Sequence, residues 1–440
     1  MKETIIPAGP RPGIQIIPGG ISGALANIAR NALFSRLEKL VTGQLVLNEG
    51  QNRTVFGNEN KSDELKAILS VHDHRFYTDM AFGGSIGAAE AYMAGFWTTD
   101  DLTRLIRIII LNRHVLSGLE GGAARISGPL QRMLHFLRKN TKQGSRKNIE
   151  AHYDLGNDFY SLFLDDTMTY SCGIFTSPAS SLRDASIEKY DRICRKLLLG
   201  PDDHVLEIGT GWGGFALHAA KHYGCRVTTT TISSEQYEFA QHLIHEEGME
   251  DRIQILRKDY RDLQGTYDKL VSIEMIEAVG HQYLETFFRC CSNRLKEDGM
   301  MMLQAITIAD REYDSHTRSV DFIKRYIFPG SCIPSVTAIS QAVAKGTDMR
   351  IFHLEDITPH YVQTLRKWRE GFFAHIIDVR RQGYSEEFIK MWEYYLCYCE
   401  AGFSERYIGD VQILFTKPLS RRDSLLRPLE GGVQNCSELS

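Results

Sequence analysis

In the stretch LVSIEMIEAVGH (residues 270–281), Glu274, Glu277 and His281 stand at i, i+3 and i+7. On a continuous helix that spacing would put three potential metal ligands on one face. The same residues could form an acid–base pair, or the wall of a pocket made for another ligand. Upstream, VLEIGTGWGGFALHAA sets Gly209, Gly211, Gly213 and Gly214 between an apolar run and a helical pattern. Glycines at such a turn let the backbone approach a ligand closely, and the first N–H groups of the following helix point at it. Cys172, between Ser171 and Gly173, is a third candidate, but no sequence-local His–Asp pair supports it as a nucleophile.

These groups need elements to hold them. DHVLEIG (203–209), CRVTTTTI (225–232), IQILRKD (253–259), YDKLVSIEM (267–275) and GMMMLQAITI (299–308) read as strands, with helical patterns between most of them. That alternation predicts an α/β fold of the doubly wound, Rossmann-like kind, with ligands at the carboxyl ends of the strands. A helical, aromatic-rich section over about 318–404 would supply a lid, and YIGDVQILFTK (407–417) a closing strand. Ahead of the core come a Pro- and Gly-rich flexible lead-in (1–20), a helix (about 22–42), a hairpin around LVLNEGQNRTVFG, and DHRFYTDMAFGGSIGAAEAYMAGFW. These make a smaller α+β amino-terminal domain, 21–142, and QGSRKN (143–148) reads as a linker. The larger domain then spans 149–417, followed by a disordered tail, 418–440.

A net charge of −4 gives no global sign of nucleic-acid binding. The nine cysteines are scattered without CxxC spacing, which fits reduced thiols in a cytosolic protein. The most apolar run, LTRLIRIIIL (102–111), carries two arginines and is too short to span a bilayer. Residues 104–147 nevertheless hold ten Lys and Arg against one acid, Glu120. Within them PLQRMLHFLRKNTK sets Leu130, Met133, Leu134 and Leu137 on one helical face. Such a helix either packs on its own domain or docks on an anionic membrane, at roughly 1 kcal/mol per basic residue near the surface.

Gly209-x-Gly211-x-x-Gly214 also fits the dinucleotide fingerprint, which alone is weak. Glu207 directly precedes the loop, and Thr229-Thr230-Thr231 stands where a ribose-binding acid would end the second strand. A nucleoside other than a dinucleotide remains, with S-adenosylmethionine (SAM) the obvious candidate.

Several separate stretches then resemble the cyclopropane-fatty-acyl-phospholipid synthase family of SAM-dependent methyltransferases. They are YDLGNDFYSLFLDDTMTYSCGIF (153–175), VLEIGTGWGG (205–214), TISSEQ (231–236), DYRDL (259–263), SIEMIEAVGHQYL (272–284), YIFPGSCIPS (326–335) and HYVQTLRKW (360–368). FGGSIGAAEAYMAGFW (82–97) is similar to the amino-terminal domain of the longer bacterial members. The resemblance implies methyl transfer from SAM to a cis double bond of a phospholipid acyl chain, with closure of a three-membered ring. It implies a SAM site of Tyr170, Ser171, Gly209, Gly211, Thr231, Gln236, Asp259 and Tyr260. It further implies a cytoplasmic enzyme held peripherally at the inner face of the membrane, and a homodimer.

An isolated alkene is a poor nucleophile, and methyl transfer leaves a carbocation. Aromatic faces stabilise a cation without attacking it, each by about 0.5–2 kcal/mol; Tyr153, Tyr170 and Phe175 are candidates, Phe175 better read as ordinary core. A base must then remove a proton, and the resemblance implies a bound bicarbonate. Its ligands would be the Cys172 backbone amide, Glu277, Gln304, Tyr361 and the Ile306 carbonyl. Gln304 departs from the family: many relatives read LHTI where this chain reads LQAI, and an amide has no titratable proton. Because Glu274 follows a strand, the opening stretch becomes a pocket wall rather than a metal site. Glu277 is the anion ligand with a carboxyl pKa raised by burial, Glu274 a structural residue or one that supports the site's ligands from behind, and His281 a cap or packing residue. Two alternatives stay open: a methyltransferase giving methyl-branched or methylene fatty acids, and a non-catalytic lipid-binding protein.

Overall fold

The computed structural model describes residues 19–57, 65–116 and 155–425. Tyr153, the basic helix expected around 130–137 and the linker 143–148 lie outside the described residues. The larger sheet has seven strands, and it is built around the expected parallel core. In chain order these strands are β5 (His204–Ile208), β6 (Arg226–Thr230), β7 (Ile253–Leu256), β8 (Tyr267–Ile273), β9 (Leu295–Ile308), β10 (Arg350–Asp356) and β11 (Ile408–Thr416). Their spatial order is β10-β11-β9-β8-β5-β6-β7. Strands β5 to β9 pair in parallel, and β11 runs antiparallel between β9 and β10. Chain direction across the sheet reverses between β5 and β8, so the crevice at their carboxyl ends is where a ligand is expected. The runs VLEI and MMMLQA are buried on both sheet faces, as a sheet covered by helices requires.

Strand β10 corrects the expectation of an unbroken helical section. RIFHLED is half-exposed and forms a strand by pairing with β11 at the sheet edge. Its short mixed pattern has no helical or strand period of its own, so the partner decides. Within the stretch expected to be a disordered tail, Ser420 is buried and the Leu419 N–H is bonded to the Glu297 carbonyl at 3.1 Å.

The amino-terminal unit is a four-stranded sheet, β2-β1-β3-β4, of β1 (Gln44–Glu49), β2 (Asn52–Gly57), β3 (Lys66–Val71) and β4 (Trp97–Thr99). Helices α1 (Gly19–Leu37), α2 (Arg75–Met93) and α3 (Leu102–Leu111) pack with it. Asp101 caps α3, accepting from the Arg104 N–H at 2.8 Å. The apolar run is therefore an amphipathic helix with Leu102, Leu105, Ile106 and Ile108 inside. Among the described residues no helix is long and apolar enough to cross a membrane.

Further helices are α4 (Leu182–Leu197), α5 (Gly214–Tyr223), α6 (Ser234–Glu246), α7 (Leu284–Arg294), α8 (Asp310–Arg318), α9 (Val336–Gly346), α10 (Thr358–Ala374), α11 (Ile376–Arg381) and α12 (Glu386–Ser404). One apolar cluster runs from Leu45 and Trp97 of the amino-terminal unit to Trp368 and Trp392 of the lid helices α10 and α12. Polar ties add to it: Tyr92 Oη donates to Glu393 at 2.7 Å and Thr103 Oγ1 to Glu400 at 3.3 Å. Each large apolar side chain buried at this junction contributes about 1.5–3 kcal/mol, and a hydrogen bond to a carboxylate likewise contributes about 1.5–3 kcal/mol.

Candidate active site

A cavity of about 1220 Å³ opens at the carboxyl ends of β5 and β8 and extends to the amino-terminal unit. At one end the chain leaves β5 through Gly209, Gly211 and Gly213, at φ 105°, 53° and 96°, and enters α5 at Gly214. Three left-handed positions in five residues require glycine. A Cβ on Gly211 would meet nothing within 4 Å, so this backbone faces open space; a Cβ on Gly209 would press on Met275 at 3.3 Å. Loop, helix terminus and cavity fit a nucleoside ligand. Glu207, buried below the loop, accepts from Thr229 Oγ1 at 2.6 Å, and burial raises its pKa to about 8.

Each expected SAM residue lines this cavity. Thr231 Oγ1 donates to Gln236 Oε1 at 2.9 Å and accepts from the Ser233 N–H, which fixes the Gln236 amide. The Asp259 carboxylate closes on Arg261, with Nη2 to Oδ2 at 2.7 Å, while Tyr260 packs edge-on to Phe287. Ser171 Oγ accepts from Lys189 Nζ at 2.6 Å. Lys189 is fully buried, and desolvation lowers its pKa to about 8. In sequence it looks like a solvated charge on α4, and nothing in the helix pattern marks it.

Beyond the loop stands an aromatic enclosure. Tyr170 lies 5.0 Å from Trp368, and its hydroxyl is 2.9 Å from that of Tyr395. Tyr361 stacks on Phe403 at 4.3 Å, and all five rings line the cavity. Phe175 stacks on His360, away from it.

Glu274 sits at the centre of the remaining residues. Its Oε1 accepts from the Cys172 N–H and from Gln304 Nε2, both at 2.8 Å, and its Oε2 accepts from Tyr361 Oη at 2.6 Å. Glu274, expected to be structural or to support the site's ligands, lines the cavity itself, and its carboxylate takes three donors that were expected to hold a separate anion. Cys172 and Gln304 themselves do not line the cavity; they stand behind Glu274. Burial holds the Cys172 thiol well above its usual range. Glu277 also lines the cavity, and its Oε1 accepts from the Ile306 N–H at 2.6 Å while Oε2 is buried without a partner. Burial and the neighbouring Glu274 raise the Glu277 pKa to about 8. Ile306 thus meets Glu277 through its N–H. Asp410, fully buried on β11, accepts from Gln304 Nε2 at 3.4 Å, and burial beside Glu274 and Glu277 pushes its pKa far up. His281 is exposed and lies outside the cavity.

A glycine cradle for a nucleoside, an aromatic enclosure and one gripped carboxylate suit transfer of a cationic methyl group. The model for mycolic acid cyclopropane synthetase matches residues 140–413. The chain belongs to that family. It is a SAM-dependent methyltransferase. It is 34% identical over 420 residues to the tuberculostearic acid methyltransferase of Mycobacterium tuberculosis, covering 91% of this chain and 94% of that one. It is 35% identical over 353 residues to the cyclopropane-fatty-acyl-phospholipid synthase of Escherichia coli K12, covering 80% and 88%. A mycolic acid cyclopropane synthase structure complexed with SAH and CTAB is similar at 30% identity and a TM-score of 0.58, over 62% of this chain and 98% of that one.

Proposed function

We propose that this methyltransferase places the SAM methyl on a cis double bond of a phospholipid acyl chain and that the product is a cyclopropane. The carrying observation is the continuity of the cavity. The glycine loop opens into the aromatic enclosure, and from there a wall of Ile86, Ile109 and Ile110 leads along the amino-terminal unit. An acyl chain fits such a wall, because its burial is favourable at ~25 cal/mol per Å² of apolar surface. Bound SAM supplies an electrophilic methyl. The protein holds the alkene against it in a water-poor space, where alignment contributes up to ~7–11 kcal/mol. The faces of Tyr170, Tyr361 and Trp368 then stabilise the cation.

A second reading, a methyl-branched or methylene product, is favoured by the 34% identity over 91% of the chain to a tuberculostearic acid methyltransferase. Bicarbonate is the base that the resemblance implies; in this structure it would have to share Cys172, Gln304 and Tyr361 with Glu274. Peripheral binding to an anionic membrane through the basic region, and dimerisation, complete the reading. Vesicle co-sedimentation and solution mass measurement test those two points.

The deciding experiment incubates the protein with methyl-labelled SAM and vesicles of cis-unsaturated phospholipid, then examines the fatty acids by mass spectrometry and proton NMR. One added CH₂ with upfield ring protons supports the cyclopropane. Label without ring protons supports the branched or methylene product, and no label in lipid refutes both.

A further inference from the structure

We propose that the Glu274 carboxylate is the base of the reaction, built into the chain where a dissociable anion would otherwise bind. The inference rests on the alkene-methylation reading above. Glu274 directly follows β8, and its φ of 47° is left-handed, a conformation that costs a non-glycine residue about 1 kcal/mol or more. Its N–H is fastened to the Gln304 carbonyl at 2.8 Å, which holds the bend. The carboxylate consequently lies at the cavity wall beside Tyr361, in a cavity also lined by Tyr170 and Trp368, with the next residue, Met275, against the glycine loop.

The donor count argues the same way. The Cys172 amide and the Tyr361 hydroxyl have one hydrogen each, and both go to Glu274. A free anion on those donors would have to displace a carboxylate tethered to the chain. The three bonds also answer the hazard of a carboxylate beside a carbocation: they spread its charge and fix its position, which disfavours attack on carbon. Glu277 and Asp410, its acidic neighbours, are held toward their neutral forms by burial.

In the step, the alkene π pair forms a C–C bond to the methyl as the methyl–sulfur bond breaks, releasing S-adenosylhomocysteine. A C–H bond of the new methyl then breaks: its proton goes to Glu274 and its electron pair closes the ring onto the cationic carbon. The proton passes to solvent when product leaves.

The test compares wild type, Glu274→Gly and Glu274→Gln in CO₂-depleted buffer, with and without millimolar bicarbonate. SAM affinity by calorimetry and thermal melting serve as controls for folding; glycine suits the left-handed backbone. Wild type should label lipid equally with and without bicarbonate. Both variants should lose about 10²-fold or more in turnover, and only Glu274→Gly, which opens the space, should regain activity with bicarbonate. Wild-type labelling that depends on bicarbonate, or full turnover by Glu274→Gln, would overturn the proposal while leaving alkene methylation standing. A wild type that labels no lipid under either condition would remove both.

Discussion

Gln304 donates from Nε2 to Glu274 Oε1 at 2.8 Å. The other end of the same amide is held by Gln412, whose Nε2 donates to Gln304 Oε1 at 3.0 Å, and Gln412 in turn accepts from Lys196 Nζ at 2.7 Å. Residues 304 and 412 are direct partners across β9 and β11. The relay leaves the Gln304 NH₂ group one orientation, toward Glu274. An amide at this position is therefore a fixed donor and positioning residue rather than a proton carrier.

Gln304→Leu should strip Glu274 of one donor and leave the Gln412 amide buried without its acceptor. The cost is about 1–3 kcal/mol of stability, together with a fall in kcat and little change in SAM affinity. Chemical denaturation and calorimetry measure the two parts separately. A variant with unchanged kcat would show that the relay is structural only.

Tyr361→Phe keeps the ring stacked on Phe403 and removes the hydroxyl that holds Glu274 Oε2. A hydrogen bond to a charged group contributes about 1.5–3 kcal/mol, so kcat should drop roughly 10–100-fold. Single-turnover methyl transfer, with melting temperature as control, checks this.

Cys172→Ser retains the backbone N–H that bonds Glu274. With the thiol fully buried and its pKa raised, no thiolate nucleophile is lost. Most activity should survive, and a serine variant reduced 100-fold or more would contradict the assignment.

The pH dependence of stability carries the signature of Glu277. Its carboxyl keeps the proton to about pH 8 in the folded chain, against 4.5 for the unfolded group. Between those values the native state holds the extra proton, so this contribution is complete below the lower pKa and is lost as pH rises through the upper one. Glu277→Gln should flatten the fall in stability across that window, where one extra bound proton is worth up to ~1.4 kcal/mol per pH unit. Urea midpoints measured across the window for both proteins decide it; parallel curves would exclude Glu277 as a source.

Gly211→Ala should weaken SAM binding more than it lowers stability, because its Cβ would enter open space at the cradle while the left-handed φ adds strain of about 1 kcal/mol. Calorimetric titration with SAM measures the loss, and unaltered affinity would place the ligand away from this loop.

The sequence by itself determined the alternation that builds the parallel strands, the glycine turn after β5, and which polar residues cluster in motifs: these depend on local periodicity and on conformations only glycine adopts. It did not determine RIFHLED, whose strand state comes from pairing with β11. Nor did it place Lys189, which reads as a surface cation yet is fully buried against Ser171. The largest difference is Glu274. Its direction depends on one left-handed φ, and its partners Cys172, Gln304 and Tyr361 lie 102, 30 and 87 residues away along the chain. Spacing in a sequence records neighbours on one element. A carboxylate held by a loop amide, a strand from the middle of the sheet and a lid helix exists only once those three elements have packed together.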